Sequence, residues 1–274
     1  MITRRRFLQW VLPAGALGLA ASAYATVVEP LLAPRVTRYT VKPRQWPAGF
    51  DVTIAVIADL HACKPWMDLD RINAIVAQTN SLGADVIVLL GDFIAGHRFV
   101  TGPVALEEWS TALAGLKAPL GVHAVLGNHD WWHDDAVKLS KSGRDAWLAG
   151  LGDQLAFIPT FRRVPGRSRG VDDLAGTLSK VPDGDPVILL AHEPDVMVRV
   201  PERVALVLSG HTHGGQVRLF GWSPVVPSRY GNRYAYGHVR EQCDLIVSGG
   251  LGCSIMPVRF GMPPEIVHVT VSGA

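Results

Sequence analysis

Five short apolar runs along the chain each stop abruptly at Asp, Asn or His. They are Val52–Ala58 before Asp59-Leu60-His61, Val86–Leu90 before Gly91-Asp92, Val122–Leu126 before Gly127-Asn128-His129-Asp130, Val187–Ala191 before His192, and Val204–Leu208 before Ser209-Gly210-His211-Thr212-His213. Short apolar runs are typical of buried strands, and open α/β sheets place their sites at the carboxyl ends of parallel strands. The pattern therefore predicts parallel strands that deliver oxygen and nitrogen ligands to one common edge.

Helical periodicity separates several of these runs. Asp68 is a predicted N-cap, and the apolar residues from Leu69 to Leu82 recur at helical spacing until Gly83 ends the helix. A second helix is predicted at about Val104–Leu116, and a third at Val171–Lys180 before the fourth strand. The sequence is thus typical of the α/β class.

The pattern of apolar and polar residues changes after His213. Gln216–Phe220, Leu245–Ser248 and Ile266–Val271 are short β-like runs separated by Gly and Pro, which predicts antiparallel pairing. A helix-bearing sheet together with a second sheet implies a sandwich of two sheets with outer helix layers.

The first 25 residues read as an export signal. They hold a cationic start, an apolar segment and an Ala23-Tyr24-Ala25 ending. The order Thr-Arg-Arg-x-Phe-Leu resembles the twin-arginine type, which makes the twin-arginine export machinery an expected partner. The alternative, an uncleaved membrane anchor, stays open. The predicted organisation is a signal or anchor at 1–25, an extended lead-in at 26–50 with an edge strand at Val36–Val41, and one main domain at 51–274.

Charge and cysteine usage narrow the functional classes. Of the 26 basic and 24 acidic residues, only Arg4, Arg5 and Arg6 precede Thr26, so the mature chain carries 23 basic residues against 24 acidic ones. A nucleic-acid-binding protein normally shows a basic surplus, so no nucleic-acid partner is expected. Cys63, Cys243 and Cys253 form no CxxC pair; unpaired buried thiols are expected, with a Cys243–Cys253 disulfide as the alternative.

The residues that end the strands are metal ligands by chemical type. Carboxylate, imidazole and amide groups without thiolate suit hard or borderline divalent cations. The seven candidates fill two adjacent sites and leave positions for water and substrate: Asp59, His61, Asp92, Asn128, His192, His211 and His213. Two cations about 3.5–4 Å apart that share a hydroxide are a standard solution to in-line attack on phosphorus. Mn, Zn or Fe would fit this ligand set.

His129 and Asp130 have a different predicted role. A histidine beside the metals but not bound to them could protonate the departing oxygen, and a neighbouring carboxylate could orient that histidine and raise its pKa. We therefore expect His129 and Asp130 to be catalytic rather than metal-ligating.

The five blocks resemble those of the calcineurin-like metallophosphoesterases. The segments Gly214-Gly215-Gln216 and Leu251 to Ile266 further resemble the YaeI/YkuE branch of exported or membrane-associated phosphodiesterases. The resemblance implies a four-layer α/β/β/α sandwich. It also implies one metal on Asp59, His61, Asp92 and His213, and a second metal on Asp92, Asn128, His192 and His211. His129 matches the catalytic histidine of the family.

One departure from the family pattern follows Asp130. Only Trp131–Asp135 separates that block from Ala136–Leu139, which looks like a strand. A parallel crossover needs about a dozen residues, so Ala136–Leu139 and Asp145–Leu151 are predicted to form an antiparallel pair in the second sheet.

The expected function is hydrolysis of phosphodiester or pyrophosphate bonds by an exported, periplasmic or membrane-associated enzyme. The resemblance suggests lipid-precursor nucleotides such as UDP-2,3-diacylglucosamine, an intermediate of lipid A biosynthesis, as one substrate class, so the expected partner is a small-molecule or lipid-linked phosphoester. Two alternatives stay open. One is a broad-specificity phosphomonoesterase, and the other is a metal-binding scaffold with weakened catalysis.

Overall fold

The computed structural model describes residues 4–133 and 174–273, which form two packed sheets with helices outside. The helices are α1 (Arg4–Ala23), α2 (Leu69–Ser81), α3 (Leu106–Leu113), α4 (Asn128–His133) and α5 (Leu174–Leu178). The strands are β1 (Arg35–Val41), β2 (Val52–Ile57), β3 (Cys63–Lys64), β4 (Val86–Leu89), β5 (Gly102–Pro103), β6 (Val122–Ala124), β7 (Val187–Leu190), β8 (Val204–Ser209), β9 (Gly237–Arg240), β10 (Asp244–Val247) and β11 (Glu265–Val271). The predicted strands at 136–139 and 145–151 lie outside the described residues.

The first sheet has five strands in the order β1-β11-β2-β4-β6. Strands β2, β4 and β6 run parallel, so the three carboxyl ends meet at one edge. The C-terminal strand β11 lies between β1 and β2, antiparallel to β2 and parallel to β1. Residues from the predicted lead-in thus form the edge strand of this sheet.

The second sheet has four strands in the order β7-β8-β10-β9. Strands β7 and β8 are parallel, so the five apolar runs divide into three in the first sheet and two in the second. The expectation of antiparallel pairing after His213 is only partly correct, because β10 pairs parallel with β8 and antiparallel with β9. The predicted strand at 216–220 forms only isolated bridges at Val217 and Leu219, since left-handed backbone at Gln216 and Phe220 interrupts the extended run.

Three apolar clusters define the layers. One packs α2 and α3 against the first sheet, with Ile72, Ile75 and Trp109 at its centre. The second lies between the two sheets, and the third covers the outer face of the second sheet beneath α5 and the 3₁₀ turn Pro194–Arg199. The α/β sandwich expected from the sequence is confirmed.

The predicted helices after β3 and β5 form close to the expected positions. Asp68 caps α2, because its carboxylate accepts a hydrogen bond from the Arg71 amide. Helix α3 is shorter than predicted, and the Glu108 carboxylate accepts from the Ala105 amide at its start. The third predicted helix is represented by α5, and residues 171–173 lie outside the described part of the chain.

The N-terminal helix continues directly onto the sandwich. After α1 the chain forms a π-helical turn, Tyr24–Val28, and a 3₁₀ turn, Glu29–Leu31. The stretch Gln9–Leu31 is 23 residues long, and its most apolar window has a mean hydropathy of 1.6, so the stretch is long and apolar enough to cross a membrane. The side chains of residues 9–20 are exposed, as expected of a signal or an anchor helix outside its lipid.

Candidate metal centre

The carboxyl ends of strands from both sheets converge above the core between the sheets. Asp59, Asp92 and Asn128 follow β2, β4 and β6 of the first sheet. His192 follows β7, and the pair His211 and His213 follows β8 of the second sheet, while His61 lies two residues beyond Asp59. Six of these seven side chains are almost fully buried, and His211 is partly buried. The structure therefore brings all seven predicted ligands together.

Five of the seven predicted ligands have left-handed backbone. The φ angles are 54° at Asp59, 49° at His61, 54° at Asp92, 71° at His211 and 50° at His213. Left-handed backbone is uncommon for residues other than glycine and is concentrated at functional sites, where the surrounding structure enforces it. Each strand therefore ends in a sharp turn that points its side chain into the common centre.

Gly91 allows the strand ends to approach each other. A side chain there would meet the backbone nitrogen of Gly127 at 2.2 Å, and the φ of Gly91 is 87°. The sequence suggests that Gly91 leaves room for a metal ion. The structure instead shows that the missing side chain admits the backbone of the neighbouring strand end, which brings Asn128 beside Asp92.

Potential ligand atoms gather in three overlapping groups. Within each group the atoms lie within 4.8 Å of one another; the groups are Asp59, His61 and His213; Asp92, His192 and His211; and His61, Asp92 and His129. The Asp92 Oδ2 atom lies 3.2 Å from His192 Nε2 and 3.8 Å from His61 Nε2. Asp92 Oδ1 accepts a hydrogen bond from the His129 amide at 2.8 Å. This bond fixes the carboxylate so that Oδ2 lies between His61 and His192.

The donor set fits divalent cations. His61 Nδ1 lies 3.0 Å from the Ile94 carbonyl and His192 Nδ1 lies 2.6 Å from the Leu90 carbonyl, so each Nδ1 donates and each Nε2 faces Asp92 Oδ2. His192 Nε2 also lies 3.2 Å from a second acceptor, Asn128 Oδ1. Converging acceptors of this kind require a positive charge between them.

The pKa values of the imidazoles agree with that requirement. Burial lowers the pKa of His61 and of His211 to about 3, with nearby imidazoles adding to the effect, so both rings are neutral and able to bind metal. Burial also disfavours the charged form of His192, but attraction to Asp92 and Asp59 outweighs it and raises the pKa of His192 to about 10. Positive charge is thus favoured beside Asp92.

The pKa values of Asp59 and Asp92 shift in opposite directions. Burial raises the pKa of Asp59 to about 7, against the attraction of His192. Burial also favours a higher pKa for Asp92. Attraction to His192, His129 and His61 outweighs burial and holds the pKa of Asp92 well below its usual range. Asp92 is therefore a permanent negative charge shared by two of the three ligand groups.

The family model of the calcineurin-like phosphoesterases matches residues 52–215, which include all five blocks and strands from both sheets. The chain belongs to this family. A Bacillus subtilis (strain 168) protein named "Uncharacterized metallophosphoesterase YkuE" is 30% identical across 98% of both chains. A metallophosphoesterase of Aquifex aeolicus (strain VF5) is 30% identical over 87% of this chain and 92% of its own. A Bos taurus "Transmembrane protein with metallophosphoesterase domain" is 27% identical over 88% of this chain and 58% of its own length.

This calcineurin-like phosphoesterase is accordingly a metal-dependent phosphoester hydrolase. The metal-binding character predicted from the sequence is supported by the family and by the clustered ligands. The assignment of each residue to one of two ions remains a prediction.

His129 lies at the edge of the centre and is 8% exposed. Its ring meets that of His61 edge-on, with 4.8 Å between centroids, and its Nε2 is 3.2 Å from Ser254 Oγ. Ser254 had no signal in the sequence, because it belongs to an irregular loop 125 residues further along the chain.

Asp130 has a structural role that the sequence did not reveal. Its Oδ2 accepts hydrogen bonds from the amides of Asp92 and Gly127, and its Oδ1 accepts from those of Phe93 and Ile94. Burial and the charge of Asp92 raise the pKa of Asp130 to about 7, although these amides oppose the shift. Asp130 therefore holds the Asp92 loop against the Asn128 turn, and its predicted action on His129 remains a prediction.

Arg259 is a further residue of the site. It is fully buried, and its guanidinium donates to the carbonyls of Gly249, Gly252 and Met262 while Nη2 lies 3.3 Å from His213 Nδ1. Burial and then the charges of His61 and Arg259 lower the pKa of His213, which keeps that ring neutral. The guanidinium is thus committed to backbone carbonyls and to the side of His213 that faces away from the centre's carboxylates.

Proposed function

We propose that this protein hydrolyses phosphodiester or pyrophosphate bonds with two divalent cations that share Asp92. The observation that carries the proposal is the position of Asp92 Oδ2 between His192 Nε2 and His61 Nε2, at 3.2 and 3.8 Å. One ion would be held by Asp59, His61, Asp92 and His213, and the other by Asp92, Asn128, His192 and His211. Mn, Zn and Fe all suit these ligands.

Two bound ions would supply an activated water and would neutralise charge on the phosphoryl oxygens. The protein's own residues perform the remaining tasks. The His129 amide fixes Asp92, the carbonyls of Ile94 and Leu90 orient His61 and His192, and Asp59 accepts from the His211 amide at 2.9 Å. These hydrogen bonds fix the orientation of each predicted ligand before substrate binds.

His129 is the proposed general acid for the departing oxygen. Its Nε2 faces Ser254 at the margin of the centre, and burial of the neighbouring ligands keeps bulk water away from it. Proton transfer of this kind contributes about 10² to 10⁴ in rate. The Ser254 hydroxyl fixes the direction of the ring.

Metal analysis combined with substitution tests the proposal. The purified chain should hold two divalent ions, and Asp92→Asn should lose both ions together with hydrolysis. His129→Gln should retain both ions while hydrolysis falls about 10² to 10⁴-fold. The fully exposed Asp183 provides a matched control, since Asp183→Asn should change neither measurement. One ion or fewer in the native chain, or full activity of Asp92→Asn, would contradict the proposal.

A comparison of paired substrates tests whether the enzyme prefers phosphodiesters or phosphomonoesters. Bis-aryl and mono-aryl phosphates with the same leaving group should give faster turnover of the diester. Faster turnover of the monoester would favour the broad-specificity phosphomonoesterase. A metal-loaded protein that hydrolyses neither compound, with no change in His129→Gln, would favour the scaffold. UDP-2,3-diacylglucosamine belongs in the same panel as a lipid-linked pyrophosphate.

We further propose that the chain is exported through the twin-arginine route and associates with the membrane through residues 1–25. The support is the Thr-Arg-Arg-x-Phe-Leu order followed by one apolar helix. The relatives described as transmembrane proteins are consistent with membrane association. Fractionation of cells with and without a working twin-arginine pathway tests this proposal, and equal delivery in both would contradict it.

A further inference from the structure

Six exposed apolar side chains lie beside the metal centre, on two loops that follow β8 and β10. We refer to Leu219, Phe220, Trp222, Val225, Ile255 and Met256 as the apolar rim. Phe220 is fully exposed, Ile255 is 73% exposed and Trp222 is 57% exposed. Isolated exposed apolar residues are ordinary, but a contiguous group of this size marks an interaction surface.

The two loops of the apolar rim form one surface. Arg218 and Phe260 are joined by a backbone hydrogen bond of 2.8 Å, and the Phe260 amide donates to the Gln216 carbonyl. The Gln216 side chain links the same loops, since it donates to the Met256 carbonyl and accepts from the Ser254 amide. Leu219 and Trp222 bond to each other across the turn that presents Phe220.

The backbone holds these side chains outward at a cost. Phe220 has a φ of 51° and Ile255 a φ of 59°, in the left-handed region that bulky and β-branched residues rarely adopt. In the described residues every non-glycine with positive φ belongs either to the metal ligands or to this surface, where Gln216 is the third. Such conformations persist where the surrounding structure enforces them.

The loop that carries Ile255 and Met256 of the apolar rim contacts both the catalytic centre and the segment that follows the N-terminal helix. Ser254, which precedes Ile255, lies 3.2 Å from His129 Nε2. On the other side the Arg259 amide donates to the Ala25 carbonyl at 2.8 Å, and the rings of Tyr24 and Phe260 meet edge-on at 6.1 Å. The point where the chain leaves α1 is therefore bonded to the loops of the rim.

Helix α1 indicates which partner the apolar rim binds. The uncharged part of α1, from Phe7 to Ala23, has 17 residues and so a length of about 26 Å, close to the hydrocarbon thickness of a bilayer. A helix embedded over that length places Tyr24 and the adjoining Phe260 loop at the membrane interface. Val27, Val28 and Leu31, just beyond the helix, are exposed as well. We propose that the apolar rim inserts into the surface of the bilayer that holds α1, so that the catalytic centre opens toward the lipid headgroups.

Charge agrees with a lipid surface. Arg218 is the only charged residue from Gln216 to Ser228, and Arg259, which is buried, is the only one from Gly249 to Pro264. No carboxylate on these loops would be carried into the interface or would repel anionic headgroups. The consequence for catalysis rests on the proposed function: the enzyme takes a phosphoester that is anchored in the membrane by acyl chains.

Site-directed fluorescence in lipid nanodiscs tests insertion. In the full chain, Phe220→Cys and Ile255→Cys each receive an environment-sensitive dye, because the three native cysteines are buried. Leu120→Cys is the matched control; Leu120 is exposed but precedes β6, at the end of the sheet opposite the metal centre. We expect a blue shift and quenching by nitroxide-labelled lipid at positions 220 and 255 but not at 120. A water-like spectrum at 220 and 255, or a blue shift without lipid quenching, which would indicate a protein partner, overturns the proposal.

Activity tests the consequence independently of insertion. The triple variant Phe220→Ser, Trp222→Ser and Ile255→Ser should hydrolyse a soluble bis-aryl phosphate within about twofold of the wild type. Its turnover of a phospholipid diester in vesicles should fall at least tenfold, and Leu120→Ser should change neither rate. Equal losses on both substrates would overturn the membrane-borne substrate. If the wild type hydrolysed no phosphoester, the proposed function would fail, while the fluorescence would still decide insertion.

Discussion

At the scale of single residues, the predicted metal ligands could be recognised because each lies just beyond the end of an apolar run. Asp59, Asp92 and His192 are read directly from the points where apolar runs stop. Ser254 and Arg259 were not predictable as site residues. They lie in an irregular loop and act on His129 and His213 across 125 and 46 residues, and no local pattern encodes contacts over such separations.

Asp130 has a structural role beside the catalytic role predicted for it, and the catalytic role stays a prediction. The Asp130→Asn variant keeps an oxygen for two of the four amides but turns an NH₂ group toward the other two. We expect a loss of about 2–4 kcal/mol in unfolding free energy and weaker metal binding, because unpaired buried donors are costly and the Asp92 loop would shift. Urea unfolding of the chelated protein and Mn²⁺ titration measure these effects.

The exposed Asp183→Asn serves as the control for Asp130. If Asp130 acts mainly by orienting His129, the Asp130→Asn variant would instead keep its stability and metal affinity and lose only turnover. That outcome would contradict the architectural role and support the role predicted from the sequence.

The cysteines agree with the expectation of unpaired thiols. All three are free and buried. Burial raises the pKa of the Cys243 thiol to about 11, with the charges of Asp244 and Glu241 adding to the effect. A raised pKa means less thiolate at a given pH, so alkylation of Cys243 in the folded chain at pH 8 should be about 100-fold slower than in the unfolded chain.

The pH dependence of alkylation checks this prediction. Below the raised pKa the folded rate should increase about tenfold per pH unit, whereas the rate in urea should level off near pH 9. Mass spectrometry of the peptide that contains Cys243 separates its rate from those of Cys63 and Cys253. A folded rate that also levels off near pH 9 would contradict the raised pKa.

At the scale of elements, the sequence predicts where strands begin better than how they pair. Strands β2 and β4 begin at the predicted residues but end one residue early, because left-handed turns at Asp59 and Asp92 follow directly. The insertion of β11 between β1 and β2 was not predictable, since an apolar run carries no information about its partner. The failure at 216–220 has a local cause, the left-handed Gln216 after two glycines.

The segment between α1 and β1 is a second element that the sequence understates. Glu29 is buried, and its carboxylate accepts from the amides of Gly261 and Met262 at 3.0 and 2.6 Å. Arg71 also donates to the carbonyls of Pro30 and Leu32. This segment, which sequence analysis treats as a lead-in, thus holds the loop that carries Arg259.

Removal of the Glu29 carboxylate should therefore destabilise the catalytic domain. Glu29→Ala leaves the buried Met262 amide and the partly buried Gly261 amide without their acceptor, so we expect the unfolding free energy to fall by about 2–4 kcal/mol. Glu202, an exposed residue of the turn before β8, supplies the control variant Glu202→Ala. Urea unfolding of the full chain in detergent measures both. Equal midpoints for the two variants would mean that the segment does not support the domain.

At the scale of the whole molecule, the metal centre joins the two sheets of the sandwich. The first sheet supplies Asp59, Asp92 and Asn128, and the second supplies His192, His211 and His213. Below them, buried apolar side chains such as Val56, Leu90 and Leu208 pack between the sheets. Bound cations would add cross-links at the edge where buried charge otherwise opposes close packing.

Chelation should consequently lower the thermal stability of the entire sandwich rather than of one loop. An ion present at about 100 times its dissociation constant adds about 2.7 kcal/mol, and in a domain of this size 1 kcal/mol corresponds to about 2–4 °C. We expect chelator to lower the midpoint of thermal unfolding by about 5–10 °C per ion, and Mn²⁺ to restore it. In Asp92→Asn, which lacks the shared carboxylate, the same cycle should shift the midpoint far less. If calorimetry of the native chain showed the small shift of the variant, the ions would not join the two sheets.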